Sequence, residues 1–442
     1  MNKIFKVIWS KSKQCYIVVS EIAKNKTGKK KIVVASILAA LAMAGSMQNV
    51  EATIPEGAAT GTATFAIGPQ SDANGAFGFA IGNNAKFNSG TLGFAIGVNS
   101  EATSNQSIAI GYLSKAAGRN IGGGGDPALA VGAGAKATAG GATAIGMVAN
   151  ASNTFATAIG KSAAASGDSS IAIGQNTKAT QEKAIAIGDA SQATNIGATA
   201  LGRSSEATSA SATALGSLAS ATGTLATAVG MQASASGSES LAIGTTASAT
   251  SGRSLAVGTN AKATGENSVA VGSGAGGSGP RGFASSINSS GSVVNSLKTI
   301  NYATTADGDN AVALGFYANA KNSGVAVGQN ALAATGGVAI GKGVLEDTSN
   351  HLAGGVAIGQ DSASTGAYSL AMGRHAFASG STSMAIGYEA SANGNFAVAM
   401  GRNVTATGTS TAIGRHAVAS NGGLAIGSQE NDASNDRTTA SA

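Results

Sequence analysis

Small and apolar positions alternate in a fixed order along most of this 442-residue chain. A tetrapeptide recurs in which an apolar residue or Thr is followed by Ala, then by Ile, Val, Leu or Met, and then by Gly. It occurs 24 times between Phe65 and Gly427, and from Gly132 to Gly272 ten consecutive steps between its glycines are each 14 residues long. The chain is therefore an array of short repeats.

Each 14-residue period has two halves. In the period that ends at Gly272, Ala261 and Ala263 alternate with larger residues up to Gly265, and Val269-Ala270-Val271 follows. Such alternation, closed by glycine, is typical of a short strand and a tight turn. We therefore predict coils of two strands and two turns, stacked as a β-solenoid. A helix is disfavoured because a glycine about every seventh residue would cost roughly 1 kcal/mol each relative to Ala.

The two faces of each predicted strand carry different residues, because side chains alternate between faces. In the first strand Ala takes one face and its two neighbours take the other. In the second strand Ala again dominates one face, and we expect both alanine faces to point inward and give a thin, flat coil. On the opposite face of the second strand, charged residues recur four positions after the glycine: Lys86, Glu101, Lys115, Lys136, Lys178, Glu206 and Lys262.

The residue before each glycine is Ile in 14 copies, Val in five, Leu in three and Met in two. With Ala inside, this column faces outward. Burial of one such side chain stabilises by roughly 1.5–3 kcal/mol, and a long exposed apolar stripe favours aggregation. We therefore predict an obligate oligomer in which the column contacts identical chains. The candidate contact residues are Ile145, Ile159, Ile173, Ile187, Ile243, Val257 and Val271.

Composition excludes several other classes of protein. Aromatic residues make up 4% and charged residues 11%, so a core built mainly from Phe, Leu and Trp is excluded. The formal charge of +6 arises in residues 1–52, which hold nine Lys and two Glu; the remainder has 18 basic and 19 acidic residues. We therefore expect no nucleic-acid partner, since no basic face is available.

The N-terminal segment has the order of a secretory signal. A basic run from Lys24 to Lys31 precedes the apolar stretch from Ile32 to Ala44, and Val50-Glu51-Ala52 resembles a small-x-small cleavage site. The apolar stretch is too short to span a bilayer as a mature helix. We predict export, with a mature chain that begins near Thr53; a buried N-terminal helix is the alternative.

Residues 1–24, with Trp9, Cys15, Tyr16 and the run Val18-Val19-Ser20-Glu21, resemble the extended signal-peptide region of large autotransporters. The resemblance implies Sec-dependent export towards the outer membrane. We therefore expect the protein at the cell surface or outer membrane of a Gram-negative bacterium, or secreted if it has no anchor.

Three segments, Ser-Ile-Ala-Ile-Gly at 170–174, Asn-Ser-Val-Ala-Val-Gly-Ser at 267–273 and Ser-Met-Ala-Ile-Gly at 383–387, resemble the head repeats of the YadA-like trimeric autotransporter adhesins. The resemblance spans Thr64 to Gly427. It implies an all-β fold, a left-handed parallel β-roll with three chains per head. It also implies attachment to host cells, to other bacteria or to host extracellular matrix proteins such as collagen or fibronectin.

In that family, Asn-Ser-Val-Ala-Ile-Gly-type motifs take part in binding collagen. By this resemblance the receptor-binding candidates are Asn267, Ser268, Val269, Ala270, Val271, Gly272 and Ser273. The alternative is that these residues only form the coil, since every coil uses the same pattern.

The spacing predicts the domain organisation. The predicted segments are a leader (1–52), a lead-in (53–63), a first part of the solenoid (64–275), an insertion (276–309), a second part (310–427) and a polar tail (428–442). Smaller insertions lie between Gly111 and Gly132 and near Glu346 to His351, and we expect insertions on one flank of the solenoid. A complete family member continues through a neck, a coiled-coil stalk and an anchor. We therefore expect membrane anchoring only through a part missing from this chain.

Residues that could support catalysis or metal binding are scattered. His351, His375 and His416 lack metal-ligand spacing, and no phosphate-binding loop is present. A single Gly-rich turn at 122–126 lacks the period of a calcium-binding repeat, and Asp307 and Asp309 are typical of a solvated turn. We expect no enzyme, no cofactor and no metal, and we expect His375 and His416 on the solvent side.

Two alternatives to an adhesive head keep the same fold. One is a structural spacer or biofilm-matrix fibre without a specific receptor. The other is an ice-binding solenoid, for which a flat Thr-x-Thr array is expected; the Thr residues of this chain do not form such an array.

Overall fold

The computed structural model describes residues 5–10, 15–20, 57–60, 64–88, 90–118, 127–274, 284–287, 293–296, 303–346, 354–427 and 439–441. The chain divides into two compact units, residues 1–55 and 56–442. In the first unit, strands Phe5–Ser10 and Cys15–Ser20 form an antiparallel hairpin. The apolar stretch from Ile32 to Ala44 lies outside the described residues. Over the ranges given above, no helix has the length and apolar character needed to cross a membrane.

In the second unit each period forms one coil with a strand in each of two parallel sheets. Ile171–Ile173 lies in the sheet that we call sheet I, and Lys178–Ala179 lies in sheet II. Ala172 pairs with Ala158 of the preceding coil and with Ala186 of the next coil. A 14-residue shift therefore places equivalent residues side by side, and the predicted β-solenoid is confirmed.

Sheet I contains one strand for each copy of the tetrapeptide. Its strands are Phe65–Ile67, Ala76–Ile81, Thr91–Ile96, Ile108–Ile110, Leu129–Val131, Thr143–Ile145, Thr157–Ile159, Ile171–Ile173, Ile185–Ile187, Thr199–Leu201, Thr213–Leu215, Thr227–Val229, Leu241–Ile243, Leu255–Val257, Val269–Val271, Val312–Leu314, Val325–Val327, Val338–Ile340, Val356–Ile358, Leu370–Met372, Met384–Ile386, Val398–Met400, Thr411–Ile413 and Leu424–Ile426.

Sheet II contains shorter strands, most of them two residues long. They are Ala58–Ala59, Asp72–Ala73, Lys86–Phe87, Glu101–Ala102, Lys115–Ala116, Lys136–Ala137, Asn150–Ala151, Ala164–Ala165, Lys178–Ala179, Gln192–Ala193, Glu206–Ala207, Ser220–Ala221, Ser234–Ala235, Ser248–Ala249, Lys262–Ala263, Thr305–Asp307, Asn319–Lys321, Leu332–Ala333, Leu345–Glu346, Ala363–Ser364, Phe377–Ala378, Ser391–Ala392, Thr405–Ala406, Val418–Ser420 and Thr439–Ser441.

The interior between the sheets is lined by small side chains. Ala172 of sheet I and Ala179 of sheet II are both fully buried, which confirms that the two alanine faces point inward. Buried serines that directly precede a sheet I strand donate to turn carbonyls; the Ser170 hydroxyl lies 2.7 Å from the Gly167 carbonyl oxygen. Each buried methyl group contributes about 0.8 kcal/mol. The coil is therefore thin, and its interior holds little apolar surface per residue.

Both turns of a coil contain a residue with a left-handed backbone. The first turn leads from sheet I to sheet II, as at Gly230-Met231-Gln232, where φ is 132° at the glycine and 56° at Gln232. The second turn leads back to sheet I, as at residues 223–225, where φ of Leu225 is 57°. A Cβ atom at Gly230 would lie 2.5 Å from the carbonyl oxygen of Gly244 in the next coil. Glycine is therefore required here both by backbone angle and by space.

One large aromatic side chain lies inside the N-terminal coils. Phe87 is fully buried at a position where most coils have Ala. Cβ atoms at Gly75, Gly78 and Gly93 would lie 2.1, 2.0 and 1.9 Å from its ring atoms. The three glycines therefore provide the volume that the ring occupies.

The largest insertion ends earlier than predicted. Gly274 still belongs to the stack of coils, because its N–H donates to the Thr259 carbonyl of the preceding coil. Thr305 already pairs with Lys262 of the previous coil, so the predicted boundary at residue 309 is wrong. The insertion contains an antiparallel hairpin, Ala284–Ile287 with Val293–Ser296.

The insertions interrupt turns of both kinds, and not turns on one flank alone as predicted. The largest insertion interrupts a first turn, because it separates strand Val269–Val271 of sheet I from Thr305–Asp307 of sheet II. The segments 119–126 and 347–353 each separate a sheet II strand from the following sheet I strand, so they interrupt second turns. Residues 122–126 themselves lie outside the described part of the chain.

The solenoid extends beyond its predicted ends. Ala58–Ala59, within the predicted lead-in 53–63, pairs with Asp72–Ala73. Thr439–Ser441, within the predicted polar tail 428–442, pairs with Val418–Ser420. Both segments lack the tetrapeptide because each contributes only to sheet II.

Candidate interaction face

The outward face of sheet I, which we call the outer face, carries two parallel columns of side chains. One column contains the residue before each glycine, and the other contains the residue before each Ala. The seven predicted contact residues all belong to the first column. Ile145, Ile159, Ile173 and Ile187 pair directly in consecutive coils. Ile243, Val257 and Val271 form a second uninterrupted group.

The outer face remains partly open to solvent in the single chain. Ile243 is 37% exposed and Leu201 is 41% exposed, whereas Ile159 and Ile173 are half-buried by their neighbours in the stack. This apolar surface is continuous along sheet I, because consecutive strands pair without a shift in register. A partner that covers the outer face would remove it from water.

The seven predicted contact residues cover only part of this surface. Leu201, Leu215 and Val229 connect the two predicted groups within the same column. The second column contributes further apolar side chains, such as Ile171 and Leu255. The signal was present in the sequence, because these residues occupy the same positions of the tetrapeptide as the predicted ones.

The receptor-binding candidates 267–273 form one second turn, one strand and the start of a first turn. Asn267 and Ser273 are exposed, and Val269 and Val271 lie half-buried on the outer face. Ser268 and Ala270 point into the coil, where the Ser268 hydroxyl donates to the Gly265 carbonyl at 2.7 Å. A receptor could thus reach the side chains of Asn267, Val269, Val271 and Ser273, and the backbone at Gly272. The receptor role of this segment stays a prediction.

The charged column lies on the outward side of sheet II. Lys178 and Lys262 are exposed there, and Lys115 pairs with Glu101 of the preceding coil at 2.9 Å. Among the residues that the structure describes, no three His, Cys, Asp or Glu side chains form a group that could hold a metal ion. In the coils that carry these charged residues, the outward side of sheet II is polar and holds isolated ion pairs.

The two acids after the large insertion contact the coils on either side of it. Asp307 accepts hydrogen bonds from the Thr264 hydroxyl, at 3.1 Å, and from the Lys321 ammonium. The Lys321 hydrogen bond is the largest cause that lowers the pKa of Asp307 below its usual value. Asp309 accepts from the backbone N–H of Glu266 at 2.8 Å. These carboxylates therefore join neighbouring coils.

Two of the three histidines lie in first turns. His375 and His416 occupy the left-handed position, with φ of 58° and 59°, and both are half-buried. The His375 ring meets the ring of Tyr388 edge-on, at 6.3 Å between centroids. His351 lies outside the described residues.

Comparison with known families agrees with this geometry. The Extended Signal Peptide of Type V secretion system matches residues 1–48. The YadA head domain repeat matches ten segments that together cover more than half of the chain: 59–85, 89–114, 124–149, 165–191, 193–219, 221–247, 249–275, 302–318, 353–376 and 378–403. No curated protein resembles the chain closely enough to be named as a relative.

A type V export signal in front of a β-solenoid defines an exported bacterial surface protein. More particularly, the chain belongs to the family of YadA-like trimeric autotransporter adhesins. Proteins of this family attach to surfaces and in general are not enzymes.

Proposed function

We propose that residues 53–442 form the head of a homotrimeric adhesin on the outer membrane of a Gram-negative bacterium. The head attaches the bacterium to host matrix, to host cells or to other bacteria. Three chains wound as left-handed β-rolls pack their outer faces together along a common axis. The observation that carries this proposal is the uninterrupted apolar outer face on a chain of this family.

The free energy gained by burial of apolar side chains favours association of the chains through the outer face. Each coil presents two outer-face side chains, and burial of one Ile or Val stabilises by roughly 1.5–3 kcal/mol. Association costs about 4–15 kcal/mol, which a few coils offset. The charged column on sheet II stays in water in this arrangement, because it lies on the opposite side of the coil.

The first experiment is the mass of residues 53–442 in solution, measured by light scattering after size exclusion. We expect three times the mass of the exported chain, in an elongated particle. Coils that rise about 4.8 Å each give a stack of roughly 115 Å for the 24 repeats. A stable, soluble single chain would contradict the proposal, because the outer face would then need no partner.

A pair of variants tests whether the outer face makes the contact. Ile159→Asp combined with Ile173→Asp places two charges in the proposed interface and should prevent assembly. Lys178→Asp combined with Lys262→Asp, on the outward face of sheet II, is the control and should assemble normally. Equal masses for the two double variants would show that the outer face is not the interface.

Binding to immobilised collagen and fibronectin, and attachment of coated beads to host cells, then test adhesion. We expect saturable binding to at least one of these surfaces. A trimer that binds none of them, and does not join bacteria to one another, would support the structural spacer instead.

A further inference from the structure

The first turns of four successive sheet I repeats, those that end at Gly373, Gly387, Gly401 and Gly414, carry a row of basic and aromatic side chains. Arg374, Tyr388, Arg402 and Arg415 each follow the turn glycine directly, and all four are exposed. Because equivalent residues of successive coils stack in register, the four side chains follow one another along the axis of the solenoid. We call this set the arginine row.

The tyrosine holds two of the guanidinium groups in place. The Arg374 guanidinium carbon lies 5.9 Å from the Tyr388 ring centroid, and that of Arg402 lies 5.6 Å from it. Such cation–π contacts are attractive. One arginine comes from the coil before Tyr388 and the other from the coil after it. Two planar groups with fixed positive charge are therefore held about two coil rises, or roughly 10 Å, apart.

The tyrosine itself remains neutral. A hydrogen bond to Glu389 raises the pKa of Tyr388 above its usual value. The ring therefore keeps its affinity for both guanidinium groups throughout the physiological pH range. Glu389 is the single acidic residue in these four first turns, against three arginines and two histidines.

The arginine row is a local departure from the repeat. The same turn position holds Ala133, Met147, Gln175 and Asp189 in the regular part of the solenoid, and its two basic residues there, Lys161 and Arg203, lie three coils apart. The repeat pattern alone therefore does not account for three arginines in four successive coils.

We propose that the arginine row binds a linear anionic polysaccharide that lies along the solenoid. Guanidinium groups bind sulfate and carboxylate groups through paired hydrogen bonds. A row parallel to the long axis suits a polymer with regularly repeated anionic groups. Three chains would present three such rows. The inference deepens the proposed function, on which it rests for the exposure of this surface at the cell exterior, by naming a class of partner.

Affinity chromatography and surface plasmon resonance of residues 53–442 on immobilised heparin and hyaluronan test the proposal. We expect binding that weakens as salt rises. The variant Arg374→Gln/Arg402→Gln/Arg415→Gln should lose about tenfold or more in affinity, because it loses all three charge-assisted contacts. The control Lys161→Gln/Arg203→Gln/Lys262→Gln removes the same charge elsewhere and should bind like the unchanged protein.

Tyr388→Ala tests the positioning role, since it keeps every charge. We expect an intermediate loss of affinity, and we expect Tyr388→Phe to restore binding because the ring is kept. Circular dichroism and light scattering verify that each variant retains fold and mass.

The outcomes of these experiments distinguish polysaccharide binding by the arginine row from the proposed adhesive function of the head. Binding to heparin alone identifies sulfate as the recognised group, and binding to both polymers identifies anionic charge in general. Binding to neither polymer, or equal affinity of the arginine variant and its control, overturns the inference. Attachment to collagen, fibronectin or cells in that case would leave the adhesive function intact.

Discussion

The glycine of each first turn combines a left-handed backbone with close contact between coils. At Gly230, φ is 132°, and a Cβ atom would meet the carbonyl group of Gly244. The same contact recurs at the equivalent glycines along the stack, for example at Gly160 and Gly216. This is the physical reason why the tetrapeptide always ends in Gly.

Gly230→Ala should destabilise the solenoid by about 1–3 kcal/mol through backbone strain alone, with a further cost from the contact. Chemical unfolding followed by circular dichroism measures the effect. Gly252→Ala is the matched control, because its Cβ would lie no closer than 3.8 Å to any atom and its φ is not left-handed. Equal stability of the two variants would show that the first-turn glycine is not required.

Phe87 and the glycines around it form a packing unit that can be tested in the same way. Gly78→Ala alone should destabilise by about 1–3 kcal/mol, because the new methyl group overlaps the ring. Phe87→Ala alone should cost about 3–5 kcal/mol through the cavity that it leaves.

In the Phe87→Ala background, Gly78→Ala should no longer destabilise, because the methyl group then has space. A double-mutant cycle of unfolding free energies measures this coupling. Strictly additive effects would contradict direct contact between residues 78 and 87.

At the scale of single residues, the sequence predicts the features that recur in every coil. Inward Ala and turn Gly followed from alternation and spacing, and the same alternation could have shown that Ser268 and Ala270 point inward. The burial of Phe87 was not predicted, because it depends on which glycines of neighbouring coils surround it.

At the scale of strands, Asp307 joins the coils on either side of the large insertion. Its carboxylate accepts from Thr264, before the insertion, and from Lys321, in the coil that follows. Its pKa in the folded chain is lowered. The interaction therefore stabilises the fold above the unfolded pKa of about 3.9 and is lost as the pH falls through the lower folded value.

Asp307→Asn should reduce stability above about pH 4 and make progressively less difference at more acidic pH. Because both side chains are nearly half-exposed, we expect a difference of only about 0.5 kcal/mol. Unfolding of the two proteins between acidic and neutral pH measures it. Added salt should shrink the difference, and a difference that grew towards low pH would contradict this account.

The strands of sheet I were predictable, because each contains the tetrapeptide. The strands of sheet II were predictable only where a regular coil preceded them. Thr305–Asp307, Ala58–Ala59 and Thr439–Ser441 are paired by backbone hydrogen bonds to neighbouring coils, which a short segment outside the regular repeat does not reveal. The end of the large insertion and the two ends of the solenoid were therefore misplaced.

At the scale of the molecule, the solenoid on either side of the large insertion is continuous. Val269–Val271 pairs directly with Val312–Leu314, as consecutive sheet I strands do elsewhere. Deletion of residues 275–303 would bring Gly274, which is bonded to the preceding coil, next to Thr304 and would restore a 14-residue step.

The deletion variant should unfold at the same temperature as the full chain, within a few degrees, and keep the same subunit number. Thermal unfolding and light scattering measure both. A large loss of stability, or a change in mass, would show that the insertion packs on the solenoid or takes part in assembly. If the insertion carries a receptor site, the variant would instead lose adhesion alone.

Because the coils stack in register, the length of the solenoid can change in steps of one coil. A gene rearrangement that adds or removes one 14-residue unit leaves every remaining side chain facing the same way, because each coil contacts only its two neighbours. Such an event would move the tip of the head by about 4.8 Å relative to its base. The contacts between the remaining coils would stay the same. A lineage could therefore tune the distance between bacterium and target surface by copy number, while substitutions in the turns alter what is bound.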